Sequence, residues 1–211
     1  MSTYKGIRGV TIPTVDGDPS VIQLGEVWYN SVSKKIKVGQ TTAGSWASGG
    51  NLNTARYGLV GAGTRDASVV VGGRAPPDLS ICETYDGTSW TEVNNCNTVR
   101  GFGMSAPSTP STAAIAFGGT PGEVADTETW NGTSWTEVAN LNTGRYYGGG
   151  AGVVNTAALC LAGNVSPKQH VESWDGTSWT EVADLNQARS EGGRGAGTTT
   201  AAISFAGTPG P

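Results

Sequence analysis

An all-β fold built from repeated four-stranded units is what this sequence of 211 residues predicts. Three observations carry that prediction. One phrase recurs: "YDGTSWTEVNNCNTVR" (85–100), "WNGTSWTEVANLNTGR" (130–145) and "WDGTSWTEVADLNQAR" (174–189), with a fainter copy, "TAGSWASGGNLNTAR" (42–56). Aligned on the tryptophan after the serine, the copies place Trp46, Trp90, Trp135 and Trp179 at intervals of 44, 45 and 44 residues. A period in the low forties with about four short strands per unit is the mark of propeller blades. Finally, no stretch shows a 3.6-residue apolar period, so helix should be nearly absent.

Each unit divides into four strands. Strand a is expected to run from an arginine (Arg56, Arg100, Arg145, Arg189) that stands ten residues after the tryptophan and three after an asparagine (Asn53, Asn97, Asn142, Asn186). Strand b reads "ASVVVGG" (67–73), "AAIAFGG" (113–119), "AALCLAG" (157–163) or "AAISFAG" (201–207). Side chains alternate across a strand, so Ile115 and Phe117 should face one way and Ala116 the other, the small residue allowing a neighbour to approach closely. Strand c ends in an aromatic before Asp86-Gly87, Asn131-Gly132 or Asp175-Gly176, pairs that tolerate the positive φ of a tight hairpin. Strand d is Ser-Trp-Thr-Glu-Val, whose residues suit a pleated, half-buried surface. A lone blade cannot bury both faces, so blades must stack. The recurring tryptophans are the expected filler, each burying ring area worth roughly 4–6 kcal/mol before ordering costs.

Composition narrows the function. The net charge of −4 carries no basic stripe, against nucleic-acid binding. No run of about 20 apolar residues exists, against membrane insertion. The start "MSTYKGIRGVTIPTVDGDPS" lacks the apolar region of a secretory signal. Cys82, Cys96 and Cys160 have no metal or redox spacing, and Cys96, standing where sister copies have leucine, reads as a small buried hydrophobe.

The order of arginine, glycine-rich first strand, second strand closing in Gly-Gly, aromatic third and tryptophan fourth resembles a kelch repeat. The wording "NLNTAR" (51–56) and "FGGTPG" (117–122) is similar to kelch-like repeats of marine phage structural and tail-fibre proteins. The segment "VDGDPSVIQLGEVWYNSVSKKIKV" (15–38) resembles the short module that precedes such repeats in virion proteins. The resemblance implies a kelch-like β-propeller over 26–211 and an extended N-terminal attachment arm over 1–25. Because "SFAGTPGP" (204–211) matches "AFGGTPGE" (116–123), the last unit ends after strand b. Ile36-Lys37-Val38 with Ser45-Trp46 is expected to supply its missing strands, giving about four blades without exposed sheet edges. The alternative is a ring completed by several chains, a homo-oligomer.

Chemistry is sparse. His170 is the sole histidine and no nucleophile motif accompanies it, so neither a serine triad nor a multi-histidine metal site is expected, and no cofactor. The recurring Glu83, Glu128 and Glu172 are equivalent blade positions rather than a converging glycosidase pair. Each repeated arginine, with its asparagine, is expected to tie its own d–a connection by hydrogen bonds. "GLVGAG" (58–63) and "GGGAG" (148–152) precede no helix and carry no P-loop lysine.

What varies between units is the b–c connection: "RAPPDLS" (74–80), "TPGEVAD" (120–126) and "NVSPKQH" (164–170). Variation on a constant scaffold is where binding specificity sits. The candidate contact residues are therefore Arg74, Asp78, Glu123, Asp126, Lys168, Gln169 and His170. With the resemblance, the expected function is a non-enzymatic virion protein assembled in the host cytoplasm. Its arm would meet other virion proteins and its propeller a host-surface glycan or protein. The alternative is a host-encoded kelch-like protein–protein module.

Overall fold

A computed structural model describes residues 12–19, 26–38, 48–191 and 194–209. The chain divides into two compact units, residues 1–48 and 49–211. In the first, β1 (Thr14–Val15) runs parallel to β2 (Val27–Asn30), which pairs antiparallel with β3 (Lys35–Val38). Part of the stretch read as an arm is thus a strand of this sheet. Asp18 anchors it, accepting from Trp28 Nε1, Asn30 Nδ2 and Lys37 Nζ at 3.2, 2.7 and 2.7 Å.

The second unit contains three four-stranded antiparallel meanders with the predicted a-b-c-d order. Blade 1 is β4 (Val60–Thr64), β5 (Ala67–Val71), β6 (Cys82–Tyr85) and β7 (Trp90–Val93). Blade 2 is β8 (Met104–Ser105), β9 (Ile115–Gly119), β10 (Val124–Trp130) and β11 (Trp135–Val138). Blade 3 is β12 (Gly149–Val154), β13 (Ala157–Leu161), β14 (Val171–Trp174) and β15 (Trp179–Val182). Of a fourth unit the described residues show only the a–b part: β16 (Arg189–Ser190) pairs with β19 (Thr208–Pro209), and β17 (Arg194–Gly197) with β18 (Ala202–Phe205). The only helix among the described residues is a 3₁₀ turn, Ser111–Ala113. The architecture is all-β and compatible with a propeller-like arrangement.

Alternation in strand b decides which face meets which neighbour. Ala114 and Ala116 join Val69 and Val71 in a core between blades 1 and 2. Ile115 and Phe117 join Ala158 and Cys160 in a second core between blades 2 and 3. Leu159 and Leu161 turn to a third. Large side chains therefore point to the following unit and small ones to the preceding unit, as alternation requires. Trp135 fills the first core and Trp179 the second, each beside the aromatic that precedes its own turn. Trp90 is half-buried, its indole N–H on Gly50 O at 3.1 Å; Trp46 lies outside the described residues. All three cysteines are free and buried, Cys96 among them.

The turn works differently from its sequence reading. Only Gly87, Gly132 and Gly176 take positive φ, near +95°. The preceding Asp or Asn instead uses its side chain: Asp86 Oδ1, Asn131 Oδ1 and Asp175 Oδ1 each accept two backbone N–H groups at 2.8–2.9 Å. This is the local capping bond that short polar side chains make in turns.

The Gly-Gly closing strand b is a stitch between blades. Gly73 N–H donates to Arg100 O at 2.8 Å, and Gly119 N–H to Arg145 O at 2.9 Å. At Gly119, φ is +125° and an added Cβ would sit 2.9 Å from Gly101 O, so only glycine serves.

Candidate functional site

The repeated polar residues are consumed inside the fold. Glu128 on β10 is fully buried and receives Arg100 Nη2 at 2.8 Å, Asn97 N and Nδ2 at 2.7 and 2.9 Å, and Thr98 N at 3.0 Å. Glu83 binds Arg56, Asn53 and Thr54 in the same way, and Glu172 binds Arg145, Asn142 and Thr143. The arginines also hold strand b, with Arg100 Nη1 on Gly118 O at 2.8 Å. Asparagine and arginine do tie the connection into strand a, as expected. The carboxylate that they grip is what the sequence reading left out. Burial pushes the Glu83 carboxyl up, but the Arg56 bond and the Asn53 and Thr54 amides outweigh it and leave it below its ordinary value. Arg189 has the strand-b bond, to Ala206 O at 2.9 Å, in a unit with no strand c.

The b–c connections bring together some of the predicted contact residues. Arg74 Nε stands 3.6 Å from Asp78 Oδ1, and Asp78 Oδ2 accepts from Thr120 Oγ1 at 2.7 Å, linking the connections of blades 1 and 2. Asp126 accepts from Asn140 Nδ2 at 2.8 Å, while Glu123 is exposed. Lys168, Gln169 and His170 are half-buried, and their carbonyls accept from Arg189 N, Leu185 N and Arg145 Nη1. His170 lies with Glu181 and Asp184, their ligating atoms within 4.8 Å of one another, the only such group among the described residues. Two of its three donors are exposed carboxylates that water already solvates, so the group by itself does not define a metal centre.

A second place departs from the repeat, and sequence reading missed it. Two residues after each repeated arginine stand Gly58, Phe102, Tyr147 and Glu191, with φ of +62°, +51°, +60° and +50°. Three of the four are non-glycine residues in a left-handed conformation, which is uncommon and clusters at binding and active sites. Backbone bonds impose it: Phe102 N–H donates to Gly58 O at 2.7 Å, and Tyr147 N–H to Phe102 O at 3.1 Å. These residues line the mouth of a cavity of about 800 Å³ between the first strands of the blades and β17. Its floor includes Val60 and Met104, its walls are rich in glycine, and Arg194 lies at its edge with Glu191. The rings of Phe102 and Tyr147 lie 4.5 Å apart and tilted, with Tyr57 5.7 Å from Phe102 on the other side. Tyr146 braces the group, 5.1 Å from Tyr147, and its hydroxyl accepts from Asn164 Nδ2 at 2.8 Å.

A cavity of this size, lined by aromatic rings together with polar groups, has room for a small molecule or the end of a larger ligand. No described helix is long and apolar enough to cross a membrane. No protein-family model and no curated protein matches the chain.

Proposed function

We propose that the chain is a non-enzymatic structural protein of a phage virion, a tail-fibre, appendage or capsid-surface component. In it a kelch-like β-propeller of about four blades is displayed for adhesion to a host or partner. The observation that carries this reading is the split between what repeats and what varies. The repeated Arg, Asn and Glu are bound to one another in buried clips. Variation is concentrated in the b–c connections and the cavity mouth, on a scaffold that holds both in place. That is the design of a binding module. The three glutamates each already hold an arginine, which does not suit paired-carboxylate hydrolysis. The phage assignment rests on the wording of the repeats and of the 15–38 segment.

The ring in this proposal is finished at the fourth unit. Ile203 and Phe205 occupy the positions of Ile115 and Phe117 yet are 65% and 45% exposed, and β18 pairs with β17 alone among the described residues. An open sheet edge beside an apolar face calls for further strands. The strands expected in this role fall at 36–48, of which Ile36–Val38 pairs with β2 in the first unit and residues 39–47 lie outside the described ones. Native mass spectrometry should then give a monomer, whereas a ring shared between chains gives multiples of it. The function is tested by mass spectrometry of purified particles and by adhesion of the fluorescently labelled protein to host cells. Absence from particles would refute the virion assignment.

A further inference from the structure

We propose that the cavity mouth formed by Phe102, Tyr147 and Glu191 is the adhesive site and that its ligand is a pyranose glycan. This rests on the adhesion reading above and moves its site away from the b–c connections.

Three features fit a sugar. The half-buried rings of Phe102 and Tyr147, tilted 4.5 Å apart in the cavity lining, offer apolar surface on which the C–H side of a pyranose packs. The walls are rich in glycine and so carry few side chains, and Glu191 adds a carboxylate acceptor to the lining. The cavity of about 800 Å³ matches a short saccharide, not a single small ion. An aromatic group beside a carboxylate also suits a quaternary ammonium ion. The volume of about 800 Å³ is far more than one such ion fills, and a short saccharide uses it better.

The backbone supplies a clean test, because the equivalent position in blade 1 is glycine. Tyr147→Gly removes the ring while keeping the left-handed backbone and the N–H bond to Phe102 O, so the variant should fold as the parent does. The full chain is screened on an array of bacterial lipopolysaccharide and capsule oligosaccharides, with choline as the cation probe, and hits are measured by calorimetry. The expected result is saccharide binding, weakened about tenfold or more by Tyr147→Gly, largely retained in Tyr147→Phe, with unchanged melting of both variants. No saccharide bound above an albumin control overturns the proposal, as does choline binding in its place. Saccharide binding that survives Tyr147→Gly but is lost in Lys168→Ala overturns it too, placing the ligand on the b–c connections. Particles that adhere through this protein with a blank array would sink the glycan alone. A protein that binds saccharides but is absent from particles would sink the virion assignment alone.

Discussion

Arg100→Met should unfold the chain far more readily than a surface arginine substitution would. The side chain is 1% exposed and serves three acceptors: Glu128 Oε1 at 2.8 Å, Gly118 O at 2.8 Å and Asp126 O at 3.1 Å. Methionine fills much of the volume but leaves a buried carboxylate facing no cation, which costs about 3–5 kcal/mol. For a compact unit of this size each kcal/mol moves the midpoint by about 2–4 °C, so the fall should be about 6–20 °C. Glu128→Gln alone should be damaging for the converse reason, a buried guanidinium without its anion. The double variant removes both charges, so its loss should be smaller than the sum of the singles by at least about 1 kcal/mol. Urea unfolding followed by tryptophan fluorescence reads all four corners of the cycle. Single losses under about 1 kcal/mol with no coupling would mean that the pair behaves as a solvated surface bridge. The clip would then not hold the blades.

Other consequences follow from comparing one blade with the next. Trp179 Nε1 donates to Thr127 Oγ1 at 3.0 Å, whereas Trp135 Nε1 faces at the equivalent position only the Cys82 thiol, a weak acceptor. Cys82→Thr should therefore raise stability by about 0.5–1.5 kcal/mol in urea unfolding, and a loss would show that the hydroxyl cannot reach the indole. Gly119→Ala should cost about 1–3 kcal/mol, because φ of +125° is closed to alanine and the Cβ would press on Gly101 O; melting without change would contradict the stitch between blades. Asp86 and Asp175 are held below the ordinary carboxylate range chiefly by the Ser89 and Ser178 amides, then by those of Thr88 and Thr177. A depressed folded-state value means that their contribution is present above the unfolded value, about 3.9, and is lost as pH falls through the folded one. Hydrogen exchange below about pH 4 should accelerate at residues 88–89 and 177–178 relative to 133–134, where Asn131 does not titrate; equal behaviour in all three turns would remove the carboxylates from the account.

Strand order, the turns and the sidedness of strand b were legible in the sequence because each follows from alternation and turn chemistry at short range; strand a instead begins at 60, 104 and 149, beyond the arginine expected to open it, because that arginine is drawn into the clip. Ile115 and Phe117 against Ala116 is a pattern of neighbours in the chain, and it places each residue in the correct core. The Arg100–Glu128 clip joins positions 28 residues apart, and no local rule pairs them. A cue was present, since each complete unit has one Asn-x-x-Arg and one c-strand Glu, whereas the fourth keeps Asn186 and Arg189 but shows no strand c among the described residues. The turn aspartates were assigned a backbone role when their side chains do the work. The cavity mouth was hidden for a different reason. Repeats are found by matching residue types, and Gly58, Phe102, Tyr147 and Glu191 share no type at all. They share a conformation, which is visible only in φ.

That shared conformation separates what the fold needs from what it permits. The bond from each of Phe102 and Tyr147 to the preceding equivalent carbonyl requires a left-handed residue, and glycine meets this without strain, as Gly58 does. A ring or a carboxylate at the same place bears about 1–2 kcal/mol of backbone cost. Packing offsets part of it for Phe102, whose ring lies over Gly58 so closely that an added Cβ there would come within 2.6 Å. Glu191 is exposed and has no comparable ring contact to offset its cost. Every other repeated position with positive φ either is glycine or, like Ala162 and Ala206, has the smallest side chain that keeps a Cβ. Large and charged side chains are thus concentrated, against the local preference, at left-handed positions that line the cavity. Backbone preference alone favours glycine there, which is why the proposed glycan site is placed at the cavity mouth rather than on the b–c connections.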